Sequence, residues 1–223
     1  MSRVRVWSVM GIALGCFASM GAVDVKVDHV PTGQVSADTP YTAVPAPSST
    51  DAATGATFSI VDGVPPRLAG AGSLDKLHDG RMPLNQDQPS ENFFFEFATI
   101  EGRIKIDIGK VIPVAQINTY SWHKSDRAPQ VYKVYGSDGT ASNFNPAPKI
   151  GTDPAKCGWT KIATVDTRSY HKPKPGGRDG VSVSHSSGSL GNFRYILFET
   201  FITESKDTFG HTFYSEIDVV QKQ

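Results

Sequence analysis

Apolar and polar residues alternate one by one through much of this chain, and a period of two leaves little room for a helical fold. Ile104, Ile106 and Ile108 alternate with Arg103, Lys105 and Asp107 before Gly109 ends the run. Val131, Lys133 and Tyr135 alternate with Tyr132 and Val134, and Gly136-Ser-Asp-Gly139 then turns the chain. Successive side chains of a strand point to opposite faces, so this pattern marks strands with one buried face. Further candidate strands are Ala56–Val61, Asn92–Phe97, Ala115–Trp122, Trp159–Val165, Gly180–His185, Phe193–Ile202 and His211–Val220. They are short, and clusters of Gly, Pro, Asn and Asp separate them. The 21 Gly and 15 Pro supply many turns and suit few helices. The expected fold class is all-β, an antiparallel β-sandwich or jelly roll.

The first 22 residues read as a signal peptide rather than as structure. Arg3 and Arg5 precede an apolar run from Val6 to Ala18, and small residues follow at Ser19, Gly21 and Ala22. The run is shorter than the ~20 residues that span a bilayer, so no membrane insertion is expected after cleavage. Ala13-Leu14-Gly15-Cys16 makes a poor lipoprotein signal. The expected location is secreted, periplasmic or cell-envelope. Cys16 leaves with the signal, which strands Cys157 without an internal disulfide partner. Residues 23–47, punctuated by Pro31, Gly33, Pro40, Pro45 and Pro47, read as a linker or loosely docked lead-in. Residues 48–223 form the expected domain, and the span 45–223 is expected to fold without the lead-in. Within it, Ser48–Ala53 is suited to cap a short helical turn.

The 22 basic residues balance 22 acidic ones, which gives no electrostatic footprint for nucleic acid. Chemistry finds little footing. Ser186-Ser-Gly-Ser189 lacks a nucleophile-elbow context, and the histidines show no metal-binding spacing. The carboxylate pairs Glu91/Glu96 and Glu199/Glu204 are of a kind found in almost any chain. The expectation is a protein that is not an enzyme. The polar loop after Ala115–Trp122 is more informative. It carries Trp122, His123, Lys124, Asp126 and Arg127 within six positions. An aromatic plate beside an imidazole and a guanidinium suits a polar, hydroxylated ligand. The basic stretch Arg168–Arg178 reads as a solvated loop.

Seven short runs occur in a recognisable order: Leu77-His-Asp-Gly80, Gly102-Arg-Ile-Lys-Ile-Asp-Ile-Gly109, Ile117-Asn-Thr-Tyr-Ser-Trp122, Tyr132-Lys-Val-Tyr-Gly-Ser-Asp-Gly139, Trp159-Thr-Lys-Ile-Ala163, Phe193-Arg-Tyr-Ile196 and Glu216-Ile-Asp-Val219. Their order resembles the discoidin-like, coagulation-factor type C family of galactose-binding-like β-sandwiches, and in style its bacterial family 32 carbohydrate-binding modules. The resemblance spans roughly residues 56 to 220. The chain departs from vertebrate members, which tie their termini with a disulfide that this chain cannot form. Its Asp-Gly loop also runs on as Arg81-Met-Pro-Leu-Asn-Gln-Asp87, and Asn92-Phe-Phe-Phe95 takes the aromatic place.

The resemblance implies a module that binds carbohydrate or a glycoconjugate through loops at one end of the sandwich. Trp122, His123 and Arg127 match its first ligand-bearing loop, and His211, Phe213 and Tyr214 come from the final one. It further implies a structural calcium between the Asp-Gly loop and the last strand, with Asp79 and Glu216 at the matching positions and Asp75 and Asp87 nearby in sequence. Hard oxygen ligands of that kind suit the ion. The alternative partner for the same loops is an envelope protein in a scaffold role.

Overall fold

The computed structural model describes residues 21–96, 99–203 and 211–223. Residues 1–20, which carry nearly all of the signal-peptide reading, lie outside the described residues. In chain order the strands are β1 (Val23–Pro31), β2 (Thr57–Asp62), β3 (Glu101–His123), β4 (Val131–Ser137), β5 (Thr160–Asp166), β6 (Gly177–His185), β7 (Gly191–Phe201) and β8 (Tyr214–Gln221). Every pairing among them is antiparallel. Helical structure among the described residues is confined to short 3-10 turns. The fold is the all-β antiparallel sandwich that the period of two predicts.

One strand organises the rest. The first part of β3, Glu101–Asp107, pairs with β7 and with β2. Its last part, Gln116–His123, pairs with β6 and with β8. Between them the register against β7 slips from Asp107 to Ile112. Gly109 sits in this slip at φ +84°, a left-handed conformation that costs glycine nothing, and its N–H donates to Asp107 Oδ1 at 2.9 Å. The sequence suggested two separate strands here. The chain keeps both and runs them together, so β3 belongs to β2-β3-β7-β4-β5 and to β8-β3-β6-β1. Ile104, Ile106, Ile117, Val134, Val181, Phe198 and Ile217 form the core. These are the apolar positions of the alternation, each contributing ~1.5–3 kcal/mol by burial.

Three expectations need correction. The lead-in is not loosely docked: β1 pairs along its whole length with β6, from Val23↔His185 to Pro31↔Gly177. Beyond β1, Asp28 Oδ2 accepts from the Ala43 N–H at 2.6 Å, and buried Val44 packs close to Gly180. The Arg178 guanidinium, buried on β6, donates to the carbonyls of Ser36 and Thr39 and lies 4.4 Å over the Tyr41 ring. Asn92–Phe97 is no strand over its described part, and only Phe93 bridges to Tyr214. Phe93, Phe94 and Phe95 are all buried in succession, which a strand with one wet face cannot do. Residues 48–53 form bends and turns rather than a helix, with Asp51 Oδ1 accepting from the N–H groups of Ala53 (2.6 Å) and Val219 (2.9 Å).

Candidate functional site at the loop end of the sandwich

Strand register decides which loops meet. His123 lies opposite Gly177 and Val131 opposite Asp166, so the β3–β4 loop (124–130) and the β5–β6 connection (167–176) emerge at the same end. The β3–β4 loop is held from below by buried polar groups. Ser121 Oγ donates to the Ala128 carbonyl (2.6 Å), Thr212 Oγ1 to that of Pro129 (2.7 Å), and the Phe213 N–H to that of Arg127 (2.9 Å). Gln130, fully buried, donates its amide to the Thr119 carbonyl at 3.2 Å. A loop fixed this way keeps its exposed side chains in place before any ligand arrives.

The residues expected to bind ligand separate into two groups. Trp122 is only 3 % exposed, and its indole N–H is buried without a protein acceptor. Tyr214 sits in the core beside Tyr132. Neither offers a ring to solvent: Tyr214, opposite Ser121, faces the core, while Trp122 lies on the other face of β3 with Tyr120 and is buried there. His211 is buried too. Its Nε2–H donates to the Thr99 carbonyl, and burial holds its pKa below the ordinary value. His123 Nδ1 accepts from the Ser125 N–H (3.0 Å), and its ring packs edge-on to Phe213. Burial likewise keeps His123 less basic than a free imidazole. Arg127 remains partly exposed, its guanidinium over the stacked rings of Phe94 and Phe213 at 5.5 and 4.9 Å. His123 and Arg127 thus flank one aromatic platform, and Arg127 is the member that reaches solvent.

On the other side of the same loop opens a cleft of about 670 Å³, lined by Asp126, Asp166, Arg168, Ser169, Lys172 and Thr203 with three prolines. Arg168 grips Asp166 in a fork (Nε–Oδ1 2.9 Å, Nη2–Oδ2 2.5 Å) and so holds the Asp166 carboxyl below its usual pKa. Asp126 and Lys172 have no ion-pair partner among the described residues. Tyr170, 50 % exposed, stands between Ser169 and His171, two residues of the cleft wall. From composition alone, Arg168–Arg178 reads only as a solvated loop. Its interleaved Tyr170 is exposed and tilts against the His29 ring at 6.3 Å rather than lining the cleft. A cleft of similar size, about 680 Å³, lies beside Asp218, Asn118 and the C-terminal residues Val220 to Gln223. Its deepest carboxylate is already occupied, since Asp218 Oδ2 accepts from the Tyr120 O–H (3.0 Å) and Oδ1 from the Ser48 N–H (3.2 Å).

The expected calcium residues come together. Glu216, fully buried on β8, accepts the Gly80 N–H at 2.9 Å across 136 positions of sequence. Gly80 takes φ +72°, and a side chain there would strike the Ser49 backbone. Glu216 Oε1 is buried with no hydrogen-bond partner among the described residues. Burial, reinforced by the Asp218 and Asp79 charges, pushes Glu216 up to about 9, and burial pushes Asp218 up to about 6. An orphaned carboxylate oxygen beside an Asp-Gly turn fits a hard cation. Asp79 itself accepts from the Arg81 N–H (3.0 Å) and lies 3.4 Å from Lys76 Nζ, and Asp75 bonds to Ser73. Asp87 belongs to the loop end, where it pairs with Lys124.

No model of a known protein family matches the chain, and no curated protein does. Solved structures to which it is similar include carbohydrate-binding modules. One is CpGH89CBM32-6 of Clostridium perfringens, 18 % identical, with a TM-score of 0.43 over 77 % of this chain and 99 % of that one. Another is CpGH89CBM32-5 of the same organism, solved with GalNAc-β-1,3-galactose, 12 % identical, with a TM-score of 0.45 over 77 % and 99 %. A third is chitosan-binding module 1 from a chitosanase/glucanase of Paenibacillus sp. IK-5, 13 % identical, with a TM-score of 0.45 over 76 % and 97 %.

Proposed function

We propose that this protein is an exported, non-catalytic carbohydrate-binding module whose ligand lies at the loop end of the sandwich. The observation that carries the reading is the cleft in which Asp126 and Lys172 stand without ion-pair partners among the described residues, around the Asp166–Arg168 fork. A sugar presents vicinal hydroxyls that both donate and accept. A carboxylate takes the donors, and ammonium and guanidinium groups serve the acceptors. Export rests on the charge and hydropathy pattern of the first residues. A glycan array of the protein supplies the ligand to be measured. Arg168→Ala and Arg127→Ala are then each expected to weaken that glycan by about tenfold, the equivalent of ~1.4 kcal/mol for one charge-assisted bond. Calorimetry gives the affinities and circular dichroism checks the fold. Unchanged affinity in both variants would place the ligand elsewhere.

We also propose that calcium is held by Glu216 and Asp79 in a structural role. The support is the buried, unpartnered Glu216 Oε1. When bound, the ion would supply the counter-charge that lets Glu216 ionise. The pH dependence has a definite sign. An acid raised from 4.5 to about 9 in the folded state favours folding while protonated, and that advantage is lost as pH climbs across this window. In chelator, the stability of Glu216→Gln minus that of the parent is therefore expected to increase from pH 5 to pH 9. Millimolar calcium is expected to raise the parent's thermal midpoint at pH 8, and Asp79→Ala to remove the rise. A parent midpoint indifferent to calcium would end this assignment.

A further inference from the structure

Beneath the loop end, three side chains from three segments converge. His29 lies on β1 directly opposite Asp179 on β6, and His171 ends the 3-10 turn Arg168–His171. His29 Nδ1 stands 2.7 Å from Asp179 Oδ1, His171 Nε2 stands 2.9 Å from Asp179 Oδ2, and one ligand atom from each lies within 4.8 Å of the others. Asp179 is fully buried, the His171 side chain is 3 % exposed and that of His29 is 11 % exposed.

Counting protons shows that something is missing from this cluster. His171 Nδ1 faces the Gly176 carbonyl at 3.3 Å, while Nε2 faces the Asp179 carboxylate. Both oxygens only accept, and a neutral imidazole has one proton to give. Thr167 cannot relieve the mismatch, because its hydroxyl already donates to Asp179 Oδ2 (2.7 Å) and accepts from the Gln130 N–H (2.8 Å). Either a second proton or a metal ion must occupy the space between His171 Nε2 and Asp179.

We propose that this space is a binding site for a zinc-class divalent cation, ligated by His29 Nδ1, His171 Nε2 and the Asp179 carboxylate. Two imidazole nitrogens with one carboxylate select zinc and its neighbours over calcium or magnesium, which take oxygen. The surroundings are those that metal-binding side chains use. The His171 Nδ1–H points at a backbone carbonyl, which fixes the tautomer with Nε2 free to ligate, and Thr167 orients the carboxylate. Three protein ligands leave a fourth position for water or an incoming group. His171 also lines the loop-end cleft. The site is separate from Glu216 and does not depend on the sugar reading, since it is tested without any glycan.

The test is a calorimetric titration of the untagged full chain with zinc chloride at neutral pH, repeated with calcium and magnesium, plus absorption spectra with cobalt(II). Zinc is expected to bind one to one in the micromolar range or tighter and to raise the thermal midpoint, and cobalt(II) to give the visible bands of a low-coordinate nitrogen–oxygen site. His29→Ala, on an edge strand, is expected to weaken zinc at least tenfold with the circular dichroism unchanged. His185→Ala, a histidine outside the trio, is expected to change nothing. If the parent takes up no zinc at tens of micromolar, the space belongs to a proton and the proposal is overturned, whatever the variants do. Zinc binding that survives His29→Ala unchanged would overturn it as well.

Discussion

Replacing Arg103 by Met is expected to destabilise the protein by about 3–5 kcal/mol, the usual cost of leaving a buried charge without its partner. Arg103 is 2 % exposed on β3 and pairs with Glu199 on β7, which is 4 % exposed. The same guanidinium donates to the carbonyls of Pro148 and Lys149 at 2.9 Å, so it also anchors the long 143–153 loop. Burial works against ionised Glu199, but the bond from Lys133 and the charge of Arg103 outweigh it and hold its carboxyl below the ordinary range. Without Arg103, Lys133, 37 % exposed, is the one ion-pair partner left to that carboxylate among the described residues, with the Tyr135 O–H donating at 3.4 Å, and Glu101 adds repulsion. Urea unfolding of the single variant and of Arg103→Met/Glu199→Leu separates the effects. The double variant is expected to recover a large part of the loss, because it removes the stranded charge along with its partner. A single-variant cost below about 1 kcal/mol would show that this pair is not desolvated in solution.

A chain beginning at residue 45 is expected to lose several kcal/mol, where the sequence alone suggested that it would fold undisturbed. Removing residues 1–44 strips β1 from the edge of β6. It also takes both carbonyl acceptors and the Tyr41 ring from the buried Arg178, and His29 from the buried Asp179. A buried cation and a buried carboxylate would each lose partners, and the newly bared strand would present open hydrogen-bonding groups to other molecules. The expected readings are a markedly lower urea midpoint and a tendency to associate. An unchanged midpoint would mean that the lead-in adds nothing to the stability of the sheet.

The contrast between these spans explains what the sequence could reveal. Strands with one wet face write an alternating code, and β2, β4 and β5 are legible for that reason, whereas β6 is buried on both faces from Gly177 to Val183. β1 carries the same code, Val23, Val25 and Val27 against Asp24, Lys26 and Asp28, but the prolines that follow drew attention to the composition of the whole segment. Phe93–Phe95 was misread because three consecutive buried rings resemble a strand and obey no alternation. At the site, motif order anticipates that the Asp79-Gly80 turn meets β8, where Glu216 accepts the Gly80 N–H. The depth of Trp122 and Tyr214 was not legible, since an aromatic at a strand end turns inward or outward according to contacts made far along the chain. The trio His29, His171 and Asp179 was invisible for a related reason. Its members are 142 and 8 positions apart, and no local spacing announces them.

The double membership of β3 also sets the order in which the protein can come into being. Its first part is flanked by β2, already made, and by β7, made much later; its last part waits for β6 and finally for β8. A ribosome that has delivered everything up to Phe201 has still left one side of the central strand bare. Tyr214–Gln221 closes it. One sheet, β2-β3-β7-β4-β5, can therefore be complete while the other still awaits β8, and pairings so distant in sequence form slowly. Until that last strand arrives, the open side of β3 offers unpaired backbone groups that a wrong strand could take.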